Sequence, residues 1–246
     1  MSACTRMSER TLVLAVHGSA LPGAAETVAR LVDSVHSRCG VRPVVGHLDH
    51  QGPRLAEVLA GRRDAVVVPL LLGSGYHRTV DLPAVLAGTD AVLTPTLSGA
   101  EEVGLALLDR VRTAEGRADG VADAILFAAA GSSRPGGNAG AELAARDLRE
   151  LLARERGPVD VVVGYHSAAR PTLDDVLAEL HARGHRRILL AAHLLAPGRF
   201  TATLDALVAD GSAWAATSPL ADHPLVADLV VTRFTQATAL RQALPV

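Results

Sequence analysis

The chain has 246 residues, of which 49% are hydrophobic and 20% charged, and its formal net charge at pH 7 is −2. This composition can fill one large or two small packed cores, and it lacks the basic excess of nucleic-acid-binding proteins, so we expect no nucleic-acid partner. All 24 basic residues are arginines, which excludes Schiff-base chemistry on lysine and a phosphate-binding loop that depends on lysine.

The two cysteines, Cys4 and Cys39, form neither a disulfide framework nor a metal-binding motif, as is usual in a reducing cytoplasm. The first apolar run, residues 12–16, is too short for a signal peptide. No stretch approaches the roughly 20 apolar residues that a membrane-spanning helix needs. We therefore expect a soluble, cytoplasmic protein without a membrane partner.

Strands and helices alternate through the first half of the chain. Short, continuously apolar runs predict strands that are covered on both faces, and proline or glycine marks the helix ends. The predicted order is strand 12–16, helix 22–38, strand 43–48, helix 53–60, strand 65–72, helix 82–87, strand 91–94 and helix 100–113. Such alternation indicates a parallel sheet with helices on its faces.

The segment 114–120, AEGRADG, is polar and glycine-containing, so it predicts a domain boundary. The same pattern then begins again, with strands 124–129, 159–164, 187–192 and 214–218 and helices 138–156, 171–183, 200–209 and 223–243. We therefore predict an α/β fold of two similar doubly wound domains, residues 1–117 and 118–246, each with a four-stranded parallel sheet.

The two halves are also related residue by residue, which indicates an internal duplication. The stretch GHLDHQGPRLAEVL at 46–59 aligns without a gap with GYHSAARPTLDDVL at 164–177, at an offset of 118 residues. The turn HGS at 17–19 corresponds to AGS at 130–132, and LLGSGYH at 71–77 corresponds to LLAPGRF at 194–200.

The ionisable residues of the first half are replaced in the second: His17 by Ala130, His77 by Phe200 and Asp49 by Ser167. Because only the first half keeps these groups, we predict a single site. The N-terminal domain would carry it, and the C-terminal domain would be a degenerate copy that covers the cleft.

The predicted fold brings the three ionisable residues of the first half to one edge of a sheet. In the doubly wound order 2-1-3-4, strands one and three are neighbours about 4.8 Å apart, and the winding reverses between them. His17 ends strand one, His77 follows strand three, and Asp49 ends strand two. Neutral imidazole binds divalent Fe, Co, Ni and Zn and accepts protons near neutral pH, so this edge suits a metal or proton-transfer site.

The glycine-rich turn after strand three is also suited to a ligand. Gly73, Ser74 and Gly75 let a flat molecule approach the backbone closely, and the helix N-terminus after Ser19 offers N–H groups to an anion. Structural roles are the alternatives: a histidine at a strand end is often a hydrogen-bonded turn residue, and Asp49 can cap the next helix.

Further arginines and histidines lie near the predicted cleft. For Arg78, Arg134 and Arg199 we weigh carboxylate binding against solvation. For the histidines, which include His166 and His193, we expect structural roles.

Three motifs make the chain resemble the sirohydrochlorin chelatase family, the class II chelatases of the CbiX/SirB type in their long two-domain form. They are LAVHGSALPGAAETVARL at 14–31, GHLDHQGPRLAEVL at 46–59 and VVVPLLLGSGYHRTVDLPAVL at 66–86. In the second half, AAAGSSRPGGN at 128–138 and AAHLLAPGRF at 191–200 resemble the degenerate repeat of that family. The resemblance covers nearly the whole chain, and the third-strand motif is its most specific part.

The resemblance implies a tetrapyrrole site between two α/β domains, where a divalent metal enters sirohydrochlorin without ATP. By motif position, His17 and His77 would be the metal-binding and proton-accepting pair, and Asp49 stands where the family usually has Glu. The residues implied in substrate binding are Ser19, Leu72, Gly73, Ser74, Gly75 and Tyr76.

In this interpretation the metal is a substrate, and no cofactor is permanently bound. Fe²⁺ is favoured and implies sirohaem biosynthesis, whereas Co²⁺ would imply cobalamin biosynthesis and Ni²⁺ also suits the ligands. A duplicated chain can close its own cleft as a monomer, or it can form a homodimer. The alternatives are a non-catalytic metal or tetrapyrrole carrier and an unrelated α/β enzyme that binds a small anion at the same edge.

Overall fold

The computed structural model describes residues 10–19, 23–49, 51–73 and 81–243. The first half contributes the strands β1 (Thr11–Val16), β2 (Val44–His47), β3 (Ala65–Pro69) and β4 (Val92–Leu93) and the helices α1 (Ala24–Cys39), α2 (Leu55–Leu59), α3 (Leu82–Leu86) and α4 (Glu101–Arg117). The second half contributes β5 (Ala124–Ala129), β6 (Asp160–Tyr165), β7 (Ile188–His193) and β8 (Ala215–Ala216), with α5 (Ala139–Arg156), α6 (Leu173–Ala182), α7 (Arg199–Ala209) and α8 (Pro224–Ala243).

The strands form two parallel sheets of four, which confirms the predicted doubly wound fold. The first sheet has the order β2-β1-β3-β4 and the second has the order β6-β5-β7-β8. In each sheet the winding reverses between the first and third strands of the half, β1 and β3 or β5 and β7, next to the carboxyl end of the first strand. The carboxyl end of that strand is where folds of this type bind ligands.

Two element ends differ from the sequence prediction by three residues or more. Strand β3 ends at Pro69 rather than at residue 72, although the Leu70 N–H still donates to the Ala15 carbonyl of β1 at 2.9 Å. Helix α4 continues to Arg117, into the segment that the sequence indicated as a linker.

An ion pair of a buried glutamate anchors the polar segment to the second half of the chain. Glu115 is only 7% exposed, and its two carboxylate oxygens lie 2.7 and 2.8 Å from Nη1 of Arg156 on α5. The backbone N–H of Ala122 donates to the same carboxylate at 2.9 Å. The segment is therefore fixed to the second half of the chain rather than solvated.

The last helix of each half packs against the sheet of the other half. Helix α8, which follows the second sheet in sequence, packs against β3 of the first sheet and against α1 and α4. Helix α4, which follows the first sheet, packs against β7 and β8. The division into residues 1–117 and 118–246 stays a proposal. If the chain were cut there, each sheet would lose the helix of the other half that packs against it.

The layer between the two sheets forms one hydrophobic core. Buried side chains from both sheets and from the intervening helices belong to a single cluster, which includes Leu14, Val68, Phe127, Leu189 and Phe234. Alternate residues of each strand point to a separate outer core, as expected for side chains that alternate across a sheet. We call the first sheet with its outer helices α2 and α3 the first lobe, and the second sheet with α6 and α7 the second lobe.

In the described part of the chain, no helix is both long enough and apolar enough to cross a lipid bilayer.

Candidate functional site

The structure describes five of the nine predicted site residues, all at the carboxyl edge of the first sheet. His17 follows β1 directly and is exposed, and Asp49 follows β2 and is half-buried. Half-buried Ser19, Leu72 and Gly73 lie in the turns that follow β1 and β3. The other four lie outside the described residues: Ser74, Gly75, Tyr76 and His77.

A close backbone contact joins the turns that carry His17 and Asp49. The Asp49 N–H donates to the His17 carbonyl at 3.0 Å, which continues the pairing of Leu48 N–H with the Val16 carbonyl at 2.8 Å. Gly18 has φ +94°, and a Cβ built there would lie 2.4 Å from the Asp49 carbonyl oxygen. Only glycine fits this conformation without displacing the neighbouring turn. The structure thus brings together two of the three residues that the sequence indicated as ionisable partners.

The Asp49 carboxylate has a cationic neighbour on the following segment. Its Oδ1 lies 3.7 Å from Nη1 of Arg54, and both side chains are about half exposed. A pair at this distance and exposure contributes little to stability. This pair leaves the Asp49 carboxylate about half exposed at the edge of the sheet.

The fit at Gly18 predicts a large local effect of a single methyl group. Gly18→Ala should lower the free energy of unfolding by about 2–3 kcal/mol, since it combines a strained left-handed backbone with a clash against the Asp49 carbonyl. Urea denaturation followed by circular dichroism measures this loss, and the turn that carries Asp49 should move away from His17.

The duplication supplies a matched control for that substitution. Gly131 occupies the equivalent turn at φ +88°, and a Cβ there would lie 1.9 Å from the Ser167 carbonyl oxygen. Gly131→Ala should destabilise the protein by a similar amount but disturb only the second lobe. If both variants lost metal binding to the same extent, the first-lobe turn would have no special role.

The second sheet repeats this backbone arrangement without the ionisable groups. The His166 N–H donates to the Ala129 carbonyl at 2.9 Å, and the Ser167 N–H donates to the Ala130 carbonyl at 3.1 Å. Phe200 stands where the first half has His77. Its ring stacks on the imidazole of His166, with centroids 4.4 Å apart and planes 16° apart.

Two histidines at the second sheet's edge are held in the neutral form. Burial lowers the pKa of His193 to about 4, and its ring lies 5.0 Å from that of Phe127. Burial, with the charge of Arg199 as a smaller contribution, also lowers the pKa of His166 to about 4. The Nε2 atoms of both rings are buried and have no hydrogen-bond partner in the described part of the chain. These packing environments agree with the structural roles expected for both residues.

Burial of neutral His193 should make the protein sensitive to acid. The unfolded chain takes up a proton on this histidine near pH 6.5, but the folded chain does so only near pH 4. The stabilisation that comes from burying the neutral ring is therefore complete above pH 6.5 and is lost as the pH falls towards 4. The free energy of unfolding should fall by about 2 kcal/mol from this site between pH 7 and pH 5.

His193→Leu removes the titrating group but keeps an apolar side chain in place. Urea denaturation at pH 7 and pH 5 should show a smaller acid-induced loss in this variant, whereas His36→Ala, which changes an exposed histidine on α1, should behave like the wild type. An unchanged pH dependence in His193→Leu would mean that His193 is not the acid-sensitive group.

Loops at the carboxyl edges of the two sheets lie close to one another. A Cβ built on Gly198, at the start of α7, would lie 3.7 Å from the Ser19 hydroxyl, and one on Gly23 would lie 3.7 Å from Cγ of Pro197. On the other side, a Cβ on Gly73 would lie 3.5 Å from the Gly137 carbonyl oxygen. The loops that carry the predicted site residues are therefore close to the loops of the second lobe.

Among residues 10–19, 23–49, 51–73 and 81–243, no three His, Cys, Asp or Glu side chains cluster as a metal site. The predicted metal pair includes His77, which lies outside these ranges. The described part of the pair is His17, with Asp49 beside it.

Comparison with known proteins agrees with this architecture. The sequence model of the CbiX family matches residues 11–114 and 124–237. A sirohydrochlorin cobaltochelatase of Methanosarcina acetivorans is 37% identical over 90 residues, which cover 33% of this chain and 68% of the relative.

Two solved structures share the fold over nearly the whole chain. SirB from Bacillus subtilis with Fe³⁺ superimposes with a TM-score of 0.73 and 23% identity, covering 95% of this chain and 97% of that one. The sirohydrochlorin chelatase SirB from Bacillus subtilis subspecies spizizenii, in complex with cobalt, gives a TM-score of 0.71 at 20% identity, with the same coverage. With the family match over both halves of the duplication, these findings show that the chain belongs to the CbiX family of sirohydrochlorin chelatases.

Proposed function

We propose that this protein inserts a divalent metal, preferentially Fe²⁺, into sirohydrochlorin without ATP, as the metal-insertion step of sirohaem biosynthesis. The observation that carries the proposal is the joined pair of turns that holds His17 beside Asp49 at the switch-point edge of the first sheet, opposite the edge of the second lobe. The second lobe has Ala130 and Ser167 at the corresponding positions, so the chemistry belongs to the first lobe.

The reaction needs groups that hold a metal weakly and accept protons. Two pyrrole N–H protons leave as the metal passes from water and protein ligands to the four nitrogens of the macrocycle. Neutral imidazoles of His17 and His77 can hold the arriving ion, and the half-exposed carboxylate of Asp49 can accept a proton or orient a ring. The segment 72–76 would lie along the macrocycle.

Co²⁺ insertion, for cobalamin biosynthesis, is the second candidate. The curated relative from Methanosarcina acetivorans is named a cobaltochelatase, and the two similar SirB structures carry Fe³⁺ and cobalt. Histidine and carboxylate ligands bind several divalent ions in the same order of affinity, so availability and geometry select the metal.

An anaerobic absorbance assay tests the proposal directly. Substoichiometric protein is mixed with sirohydrochlorin and Fe²⁺, Co²⁺ or Ni²⁺, and the conversion of the macrocycle spectrum is compared with the rate without protein. A chelatase converts many equivalents of tetrapyrrole per protein, with the highest kcat/KM for Fe²⁺. At most one equivalent bound, with no rate above the background, would identify a carrier instead.

A further inference from the structure

Arg199 presents a positive charge at the second-lobe side of the cleft. It is the first residue of α7 and directly follows Gly198, where a Cβ would lie 3.7 Å from the Ser19 hydroxyl of the first-lobe site. Its side chain is exposed, and its guanidinium pairs with no carboxylate among the residues that the structure describes. Several other arginines, such as Arg30 and Arg110, have aspartate partners.

The guanidinium of Arg199 is held by an aromatic ring rather than by an acid. Its Cζ lies 5.2 Å from the centroid of the Phe200 ring, within the range of a cation–π contact. That ring is itself stacked on the neutral imidazole of His166. The stack leaves the N–H groups of Arg199 without an acceptor from the acidic side chains of the described chain.

Arg199 places a positive charge at a helix N-terminus, where the helix itself favours negative charge. The N-terminus of a helix favours acidic residues, because the unpaired N–H groups there carry partial positive charge. The first turn of α7 contains no acidic residue and begins with Arg199 instead. The local positive potential therefore lacks a counterion within that turn, and it lies beside the cleft.

We propose that Arg199 binds a carboxylate side chain of the tetrapyrrole from the second-lobe side of the cleft, and that Phe200 positions its guanidinium. This inference rests on the proposed function, since it assigns a binding residue for the same substrate. The phenylalanine at the position of His77 thus gives the degenerate half a substrate-binding role in place of a metal-binding one. A guanidinium suits a carboxylate because it offers two parallel N–H donors.

Binding a peripheral carboxylate contributes about equally to the substrate complex and to the transition state. Arg199→Ala should therefore raise KM for sirohydrochlorin about tenfold and leave kcat within about twofold of the wild type. The KM of the wild type should rise with ionic strength, and that of Arg199→Ala should rise less steeply, because one screened attraction has been removed.

Three further variants separate binding from positioning. Arg199→Lys keeps the charge but loses the planar fork, so its KM should lie between those of the wild type and Arg199→Ala. Phe200→Leu should raise KM and weaken the salt dependence with kcat retained. Arg186→Ala, which changes an exposed arginine of the same lobe beyond the opposite end of β7, should match the wild type.

The experiment measures kcat and KM for sirohydrochlorin with Fe²⁺ at two salt concentrations, together with the circular dichroism of each variant. A raised KM with a reduced salt slope in Arg199→Ala, absent in Arg186→Ala, supports the proposal. If the wild type metallates sirohydrochlorin and Arg199→Ala has the same KM, this inference alone is overturned. A wild type that does not metallate sirohydrochlorin overturns the proposed function as well.

Discussion

Replacing His17 by alanine is expected to reduce kcat/KM for metal insertion about 100-fold or more, the usual contribution of a group that transfers protons or holds a reacting ion. His17 lies at the exposed end of β1, in the turn joined to that of Asp49, so its imidazole can reach a ligand at the sheet edge. The change should leave the fold intact because the side chain is outside the core. The absorbance assay with Fe²⁺ measures the loss.

His36→Ala is the matched control for this prediction. His36 is exposed in the last turn of α1, at the end of that helix away from the cleft, and its removal should leave kcat/KM unchanged. Thermal denaturation of both variants should resemble that of the wild type. A His17→Ala protein with wild-type turnover would assign the chemistry to other residues.

Phe234→Ala is expected to lower the free energy of unfolding by about 3–5 kcal/mol, the usual cost of deleting a fully buried phenylalanine ring. Phe234 is 0% exposed and belongs to the core between the two sheets. It lies on α8, which packs against β3 of the first sheet and against α1 and α4. The cavity would therefore weaken packing in both halves of the chain.

Because the halves share this core, the loss should appear as one cooperative transition in urea, with a lower midpoint and no intermediate. Leu240→Ala, at a 70% exposed position on the same helix, should change stability by less than about 0.5 kcal/mol. Two separate transitions in Phe234→Ala, with only the second half unfolding early, would contradict a shared core.

The alternation of strands and helices could be predicted from the sequence because the pattern of each half is local, and the strand order was taken from the common doubly wound arrangement. The uninterrupted apolar run of β3, Val66 to Val68, is covered on both faces, as such runs predict. The turns repeat between the two halves, so the same strand order was expected in both sheets. The ends of elements were less certain, as at β3, which ends at Pro69 although the apolar run continues to Leu72.

The exchange of α4 and α8 between the two sheets could not be predicted. An amphipathic helix shows that one face is buried, but its pattern does not say which sheet covers that face. The segment around Glu115 had the composition of a linker, but Ala114 packs in the core and Glu115 pairs with Arg156 on α5. Such pairings between distant segments leave no periodic signal.

At the candidate site, the sequence predicted which residues share an edge but not what surrounds them. The strand order sufficed to place His17 near Asp49, since parallel strands end on the same side. The stack of Arg199, Phe200 and His166 depends on side-chain rotamers and on burial. From the sequence, Phe200 was recognised only as the residue that replaces His77 in the second half.

A double-mutant cycle on His17 and His77 tests most directly whether both imidazoles serve one metal centre. The kcat for Fe²⁺ insertion into sirohydrochlorin would be measured for His17→Ala, His77→Ala and the double variant. If the two residues act as a unit, each single variant loses about as much activity as the double variant. Losses that multiply in the double variant, or full activity in His77→Ala, would contradict a shared centre.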